Sequence, residues 1–551
     1  MPEGDDPSGR TFDVLVVGGG VNGAAIARDA ALRGLSVCLV EMRDWGAGTS
    51  AKSSKLAHGG LRYLEQFEFA LVHEALQERE LLLRQAPHLV RPLRFVYPLY
   101  PHVAARRTVR IGLWLYDLLS RGKSLPRRAY LRRDATLALA PALRPADLAG
   151  AATFYDGQIR RVERLIVEMV VEARALGAVT LNHTRVDFLE FSREAGRRRV
   201  TGARVEDEDG KVWSVRARAV VNASGCWVDE VLGPLGDGLP PKVRKTKGTH
   251  LVVPRFCDVA VMVRNRDGRS FFVLPWEQHS IVGTTDTDYE GDPYDAVADA
   301  ADVAYLTNAA REYFPDAPLD RLQYTYAGVR ALVNQPGVTE SNVTRRHVIY
   351  DHARRDDVDG LWTLQGGKIT TARRLAQETV DRVARSLGRK AQARTHPTLT
   401  TPYIGCPEGA WQDFRANALA EASGMGFASA TAERLLATYG ATWRDVVSCD
   451  ARPGARRALH MDAPHLGCEV TYAVRSEQAL HLGDALLRRT DLGLQHDGNP
   501  GPAQAALTWM ADLLGWDAKR QAAEWQAYLV EAKQFAIPPL PAPPPGDAKA
   551  F

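Results

Sequence analysis

An apolar run, Asp13-Val14-Leu15-Val16-Val17, passes at once into Gly18-Gly19-Gly20-Val21-Asn22-Gly23 and then into an alanine-rich helical stretch, Ala24 to Arg33. Gly34 falls where a helix C-cap glycine belongs, and Ser36-Val37-Cys38-Leu39-Val40 supplies a second strand that ends at Glu41. Strand, tight turn, helix and strand at this spacing make a βαβ unit, so the chain is expected to be built around a parallel sheet. Each turn residue has a physical task. Gly18 makes the turn, Gly20 lets the backbone approach a pyrophosphate, Gly23 permits close helix–strand packing, and the helix N-terminus faces the anion. Glu41 is placed to accept from a ribose hydroxyl, which disfavours a 2′-phosphate.

A chain of 551 residues is too long for one ordinary core, so two or three domains are expected. With 45% hydrophobic and 25% charged residues and no long uninterrupted apolar run, it reads as globular with no membrane-spanning helix. The polar start, Met1 to Arg10, has no apolar signal-like core, and a cytoplasmic location is expected. Cys38, Cys226, Cys257, Cys406, Cys449 and Cys468 are scattered without a CxxC pair, so reduced thiols are expected, with no disulfide framework and no metal site. A formal charge of +4 is nearly balanced, so nucleic acid is not an expected partner and any basic surface must be local.

A βαβ unit holds the ADP half of NAD and FAD alike. The residues after Glu41 favour a flavin. Trp45 to Tyr63 is rich in glycine and hydroxyl side chains, suited to run along a dinucleotide and approach a flat ring; Tyr63 to Gln85, with apolar residues at helical spacing, reads as a helix. Ala219 to Gly225 is an apolar strand ending in small residues, of the kind that packs on the ADP portion. Gly360 to Thr371 is a strand running into Gly366-Gly367 and a helix, where a backbone nest or helix N-terminus can stabilise negative charge.

These motifs resemble the FAD-dependent glycerol-3-phosphate dehydrogenases of the D-amino-acid-oxidase-like flavoprotein superfamily. The resemblance rests on Gly18–Gly23, Thr49-Ser50, Ser53 to Leu64, Lys247 to Pro254, Gly283-Thr284-Thr285-Asp286, Tyr324 to Arg330 and Gly366 to Thr371, and it covers nearly the whole chain. It implies non-covalent FAD held by Gly18, Gly20, Gly23, Glu41, Thr49, Ser50, Ser53, Ser54, Lys55, Leu56, His58, Val186, Ala223, Gly225, Gly367, Lys368, Ile369 and Thr370. It implies a substrate phosphate held by Arg62, Arg330 and Lys368 with Tyr63 beside them. Guanidinium forks suit phosphate oxygens, where lysine acts as a point charge. One departure stands out: where the family tends to carry Asp-Asp-Ala-Arg-Leu, this chain has Arg161-Val162-Glu163-Arg164-Leu165, which puts the local shape and charge of the substrate pocket in question.

The expected class is α/β (α+β overall): a Rossmann-like FAD-binding domain with an antiparallel-sheet substrate cap and a C-terminal α-helical domain. The FAD-binding segments are expected at about 1–95, 150–245 and 355–395, the cap at about 96–149 and 246–354, the helical domain at 396–536 with helices over Ala430–Tyr439, Val470–Arg489 and Ala503–Gln534, and a proline-rich tail at 537–551. Between 102 and 133 nine cations surround Ile111 to Leu119 and face one acid, Asp117. Such an aromatic, cation-flanked helix suits either an anionic membrane surface or ordinary packing with a basic rim; the family's peripheral attachment to the inner face of the cell membrane and its quinone acceptor favour the membrane.

Oxidation at C2 of glycerol 3-phosphate gives dihydroxyacetone phosphate and requires a group near the hydroxyl. Arg330 and His58 are the expected catalytic residues, His58 as proton acceptor or as packing against the flavin, Arg330 by electrostatics. The alternatives are an oxidase that uses oxygen, an amine or amino-acid oxidase of the same superfamily, and a non-catalytic flavin-binding protein. Oligomeric state is left open, a homodimer included.

Overall fold

The computed structural model describes residues 7–64, 66–101, 106–120, 122–194, 196–236, 241–265, 267–334, 346–494 and 499–540. The βαβ unit forms as read: Val14–Val17, helix Val21–Leu32 and Val37–Val40, the two strands parallel with Val14 opposite Val37. They lie in a six-stranded sheet ordered Val348–Asp351, Leu361–Gln365, Val220–Asn222, Val14–Val17, Val37–Val40, Val179–Leu181, parallel except at the Val348–Asp351 edge. All of Val14–Val17 and Val37–Val40 is buried, because helices cover one face and a second sheet the other. Helix Val21–Leu32, alanine-rich and slim, packs between Val162–Ala175 and Ala372–Ser386. The second sheet, formed by Thr11–Phe12, Thr184–Glu194, Arg197–Asp207, Val212–Ala217 and Val358–Asp359, closes the opposite face.

A ten-stranded sheet roofs this domain. Its centre is Val243–Pro254, paired antiparallel on one side with Tyr324–Val333 and on the other with His279–Gly283 and Thr287–Asp288. It is not wholly antiparallel, since Ala260–Arg264 runs parallel to Val90–Pro98, which pairs in turn with Gly150–Ile159. The limits read from sequence at about 95 and 150 therefore fall on strands of the roof. One long apolar run cannot announce which of two sheets it will join, because β-pairing is decided by partners distant in sequence.

After residue 396 the described elements are mainly helical: Trp411–Gly424, Ser429–Tyr439, Trp443–Ser448, Gly467–Glu477, Gly501–Leu514 and Ala518–Ala532, around cores that include Trp443, Tyr439 and Met510. Two stretches expected as single helices are divided. Ala503–Gln534 turns at Gly515, and Val470–Arg489 stops at Glu477, where Gln478 adopts a left-handed conformation (φ 56°). The cause at Gln478 is tertiary. Its side-chain oxygen accepts from the Thr180 hydroxyl (2.8 Å), its amide donates to the Thr180 carbonyl (3.0 Å), and its carbonyl accepts from Asn182, so the helical domain is docked on the edge strand of the parallel sheet. Nearby, Asp44, fully buried just after the second strand of the βαβ unit, is clasped by Arg488 and Arg489. Likewise the helix expected from Tyr63 starts only at Phe69: Leu61–Leu64 is a single tight turn and Phe67 sits at φ 58° with its ring exposed.

Candidate active site

A cleft of about 460 Å³ runs between the parallel sheet and the roof, and each of the motifs that carry the family resemblance contributes to its walls. At one end are Gly18, Gly20, Glu41, Met42, Arg43, Thr184 and Val186; at the other are His58, Tyr63, His250, Arg330 and Lys368.

The glycine turn is a cradle with three distinct constraints. Gly18 has φ 104°, and a Cβ there would lie 2.7 Å from the Ala223 carbonyl, so the ends of two parallel strands meet at this point. At Gly23 a Cβ would lie 1.8 Å from the Gly18 carbonyl oxygen, which fixes glycine for helix–strand contact. At Gly20 a Cβ would meet only the Ser50 hydroxyl, at 3.3 Å, so the protein itself leaves room above that backbone. Ser50 accepts from Val21 N–H (3.1 Å) at the start of the helix. Glu41 accepts from Gly19 N–H (2.6 Å) and from Arg43 N–H (2.9 Å); burial raises its carboxyl above the ordinary range, against the pull of those two donors. This long, glycine-lined cleft, with room left above Gly20 and a buried acid at the second strand end, fits an ADP-containing dinucleotide.

The segment Thr49 to His58 lines the middle of the cleft, and its side chains divide the work. Thr49 donates to the Val329 carbonyl, tying the loop to the roof. Ser54 is 2.8 Å from His250 Nε2. Ser53 and Leu56 line the wall. Lys55 contributes backbone to the cleft, but its ammonium is buried against Glu163 (3.3 Å) and the Ala51 carbonyl, on the far side. On the opposite wall Ala223, Ser224 and Gly225 follow the strand Val220–Asn222. Gly366 and Gly367, both at positive φ (67° and 100°), turn the strand Leu361–Gln365 into Lys368, Ile369 and Thr370 ahead of helix Ala372–Ser386, which is the nest and helix start read from sequence.

The remaining polar groups line the same cleft. Arg330, on Tyr324–Val333 opposite Thr246, donates to Asp286 (3.0 Å), to the Thr284 hydroxyl (3.1 Å) and to the Thr285 carbonyl (3.2 Å), and its guanidinium lies against Gly248, where a Cβ would come within 2.1 Å. The Lys368 ammonium stands 3.8 Å over the Tyr63 ring. The side chain of Arg62 lies outside what the structure describes. His58 is half-buried on the cleft wall, its backbone N–H donating to the Thr370 hydroxyl, and desolvation with nearby Lys368 pushes its imidazole down to about 4. It is thus neutral at ordinary pH and able to accept a proton.

Two features were not assigned from sequence. His250, stacked on Tyr326 (4.7 Å between centroids), is pushed down to about 3 by burial and by Arg330; its only signal was its place in the Lys247–Pro254 motif. Beneath His58, Asp156 accepts from Tyr116 (2.8 Å) and Arg79 (2.7 Å), while Gly59 N–H donates to Tyr116 (3.0 Å), a buried network from three separate elements. Because His58 and His250 both hold protons less tightly than an exposed histidine, the unfolded chain takes up protons that the folded one refuses once pH falls below about 6.5, so these residues lower stability in acid. The departure at Arg161-Val162 does not reach the cleft lining. Arg161 is paired with Asp491 of the helical domain and lines a separate small cavity with Glu163 and Tyr324.

Residues 13–386 match the family model for FAD dependent oxidoreductases, and residues 396–521 match that for the C-terminal domain of alpha-glycerophosphate oxidase. A glycerol-3-phosphate dehydrogenase of Synechocystis is 34% identical over 96% of this chain and 97% of that protein. The chain belongs to the FAD-dependent glycerol-3-phosphate dehydrogenases. Within that family, glycerol-3-phosphate dehydrogenase 2 of Mycobacterium tuberculosis is 38% identical, covering 94% of this chain and 88% of its own. The crystal structure of the Bacillus halodurans glycerol-3-phosphate dehydrogenase complexed with FAD superposes with a TM-score of 0.77 at 29% identity, over 96% of each chain. The family and its FAD-bound structural neighbour make FAD the cofactor of this chain.

Proposed function

We propose that this protein oxidises sn-glycerol 3-phosphate to dihydroxyacetone phosphate and passes the electrons to a membrane quinone. The observation that carries the reading is that a guanidinium fixed by Asp286, Thr284 and Thr285, an ammonium over Tyr63 and neutral His58 line one cleft. Arg330, Lys368 and Tyr63, with Arg62, hold the phosphate, and the fixed fork sets its orientation. Oxidation at C2 then breaks the C–H and O–H bonds. His58 takes the hydroxyl proton on its free ring nitrogen, while Arg330 stabilises negative charge developing on that oxygen. Bound FAD supplies the acceptor for the hydride that leaves C2. His250 keeps Ser54 and the adjacent loop in place. An amine or amino-acid substrate is disfavoured, since a carboxylate would leave one of two fixed cations unmatched.

The reading is tested by anaerobic addition of glycerol 3-phosphate to the purified protein while the visible flavin band is followed, then by addition of a quinone analogue or of oxygen. Bleaching by glycerol 3-phosphate and recovery with the quinone are expected; recovery only with oxygen would make it an oxidase, and no bleaching would refute the substrate. For the proton step, the acid limb of kcat/KM, corrected for the substrate phosphate's own ionisation near about pH 6, should fall well below the ordinary histidine value, because His58 stays unprotonated down to about 4. A limb near 6.5 that persists in His58→Asn would remove His58 from this role.

We infer, further, that the protein lies on the anionic inner surface of the cell membrane. No helix of the described residues is long and apolar enough to cross a membrane. Helix Arg106–Leu119 buries Leu113 and Tyr116 and exposes Ile111 (64%), Trp114 (52%) and Leu118, with Arg107 and Arg110 on its rim. Of the nine cations, Lys123 and Arg128 are taken up by Asp117, and the side chain of Arg106 lies outside the described residues. The helix packs on the Leu61–Leu64 turn, whose Leu61 and Tyr63 line the cleft, and on helix Phe69–Gln85, beside which Phe67 (78%) and Phe69 are exposed. An apolar face rimmed by cations lies flat in an anionic interface, each nearby cation contributing about 1 kcal/mol. Neutralising Arg106, Arg107 and Arg110 together should weaken partition to anionic vesicles, less so in high salt, and Trp114→Ser with Phe67→Ser should weaken it at any salt; equal binding to neutral and anionic vesicles would defeat the electrostatic half.

A further inference from the structure

We propose that His183, Glu208 and His481 form a binding site for a divalent transition metal of the zinc class, at the seam between the FAD-binding and helical domains. The three residues come from separate elements. His183 follows the edge strand Val179–Leu181, Glu208 lies in the turn after Arg197–Asp207, and His481 lies between helix Gly467–Glu477 and the turn Asp484–Arg489. One donor atom from each falls within 4.8 Å of the other two.

Both imidazoles are ion-paired, and the carboxylates around them divide into one that can share a metal and two that orient the rings. His481 Nδ1 is held by Glu524 (2.9 Å), which also accepts from Leu482 N–H (3.0 Å). His183 Nε2 is held by Asp484 (3.0 Å), which accepts from Leu480 and His481 N–H (2.9 and 3.0 Å). Each imidazole thus has one nitrogen fixed by a backbone-anchored carboxylate, the arrangement that orients metal-binding histidines. The other nitrogen of His481 makes the sharper point. Nε2 is buried and lies 2.7 Å from Glu208 Oε2, an ion-pair distance at which the carboxylate is off the axis that a hydrogen bond from this nitrogen would need. A metal on that axis bonds both atoms. The two rings meet edge to face at 4.4 Å, and His183 sits at φ 50°.

Two imidazoles and one carboxylate are a zinc-type donor set; three protein ligands leave a fourth position for water, whereas magnesium and calcium take oxygen donors. Sequence spacing carried no sign of it, because 25 residues separate His183 from Glu208 and a further 273 precede His481. None of the three residues lines the cleft, although His183 directly precedes Thr184 of its wall and donates its backbone N–H to the Arg43 carbonyl (2.8 Å). The site joins the edge of the parallel sheet to the helical domain, so its role is to fasten that domain. It stands or falls independently of the substrate.

The full-length protein, stripped with a chelator and dialysed against Zn2+ or Co2+, is expected to keep one metal per chain, to give the intense visible bands of four-coordinate Co2+, and to melt at a higher temperature with metal than without. Glu208→Gln, at a partly exposed turn, and His481→Gln are expected to lose the Co2+ bands and the melting shift while retaining flavin absorbance. Glu524→Gln is expected to weaken Zn2+ binding about 10-fold. A Co2+ spectrum that remains that of the hydrated ion, or one Zn2+ retained equally well by Glu208→Gln and by the Glu208→Gln, His481→Gln pair, would overturn the proposal.

Discussion

Replacing Arg330 by alanine is expected to lower kcat/KM for glycerol 3-phosphate by roughly 30- to 150-fold, about 2–3 kcal/mol, the range for truncated charge-assisted contacts. The structure adds a reason beyond the lost phosphate contact. Arg330 is the partner of Asp286 (3.0 Å), so alanine also leaves a partly buried carboxylate facing an incoming phosphate. Arg330→Lys should be damaging too: an ammonium cannot reach Asp286, the Thr284 hydroxyl and the Thr285 carbonyl together while presenting a fork to the phosphate. Asp286→Asn should lower kcat more than it raises KM, since it frees the guanidinium without removing it. With glycerol as substrate most of these differences should vanish. A steady-state comparison of the variants on both substrates checks this, and an Arg330→Ala enzyme equal to the parent on glycerol 3-phosphate would take Arg330 out of the site.

Gly20→Val should give a folded, colourless protein. The Cβ meets only Ser50 Oγ at 3.3 Å, so the polypeptide can accommodate the side chain, but valine would fill the space that the proposed site gives to the pyrophosphate. Gly23→Ala tests the opposite constraint. Its methyl would lie 1.8 Å from the Gly18 carbonyl oxygen, so the helix must leave the sheet, and low yield of folded protein is expected. Flavin released on denaturation and far-ultraviolet circular dichroism separate the two outcomes. A yellow Gly20→Val protein with full flavin content would show that the cofactor does not use this turn.

What the sequence made legible was local chemistry. The βαβ unit, the Gly366-Gly367 nest and the motifs that carry Arg330 and Lys368 are short, and their residue types follow from close approach to a ligand or from charge. What it concealed was decided at a distance. Leu64 and Phe67 continue the helical spacing of the next stretch, yet Phe67 turns outward because the chain must bend from the cleft wall to the helix. Gln478 stops a helix only because Thr180 and Asn182 wait to receive it. His250 reads as one more strand residue until Ser54 and Tyr326, 196 and 76 residues away, are placed against it. Arg161 looked like a threat to the substrate pocket and is instead a strut to the helical domain.

The clasp on Asp44 sets a limit on how this chain can be divided. That carboxylate has no exposed surface, and its guanidinium partners, Arg488 and Arg489, both belong to the helical domain more than 440 residues later. Removing one side of such a buried pair costs about 3–5 kcal/mol, a large share of the whole stability of an ordinary domain. A fragment ending near residue 395 would lack both guanidiniums and leave that carboxylate with Asn182 (3.2 Å) as a partner within the fragment. The natural unit for grafting, shuffling or minimising this enzyme is the two-part chain, with residue 44 and residues 488–489 inherited together.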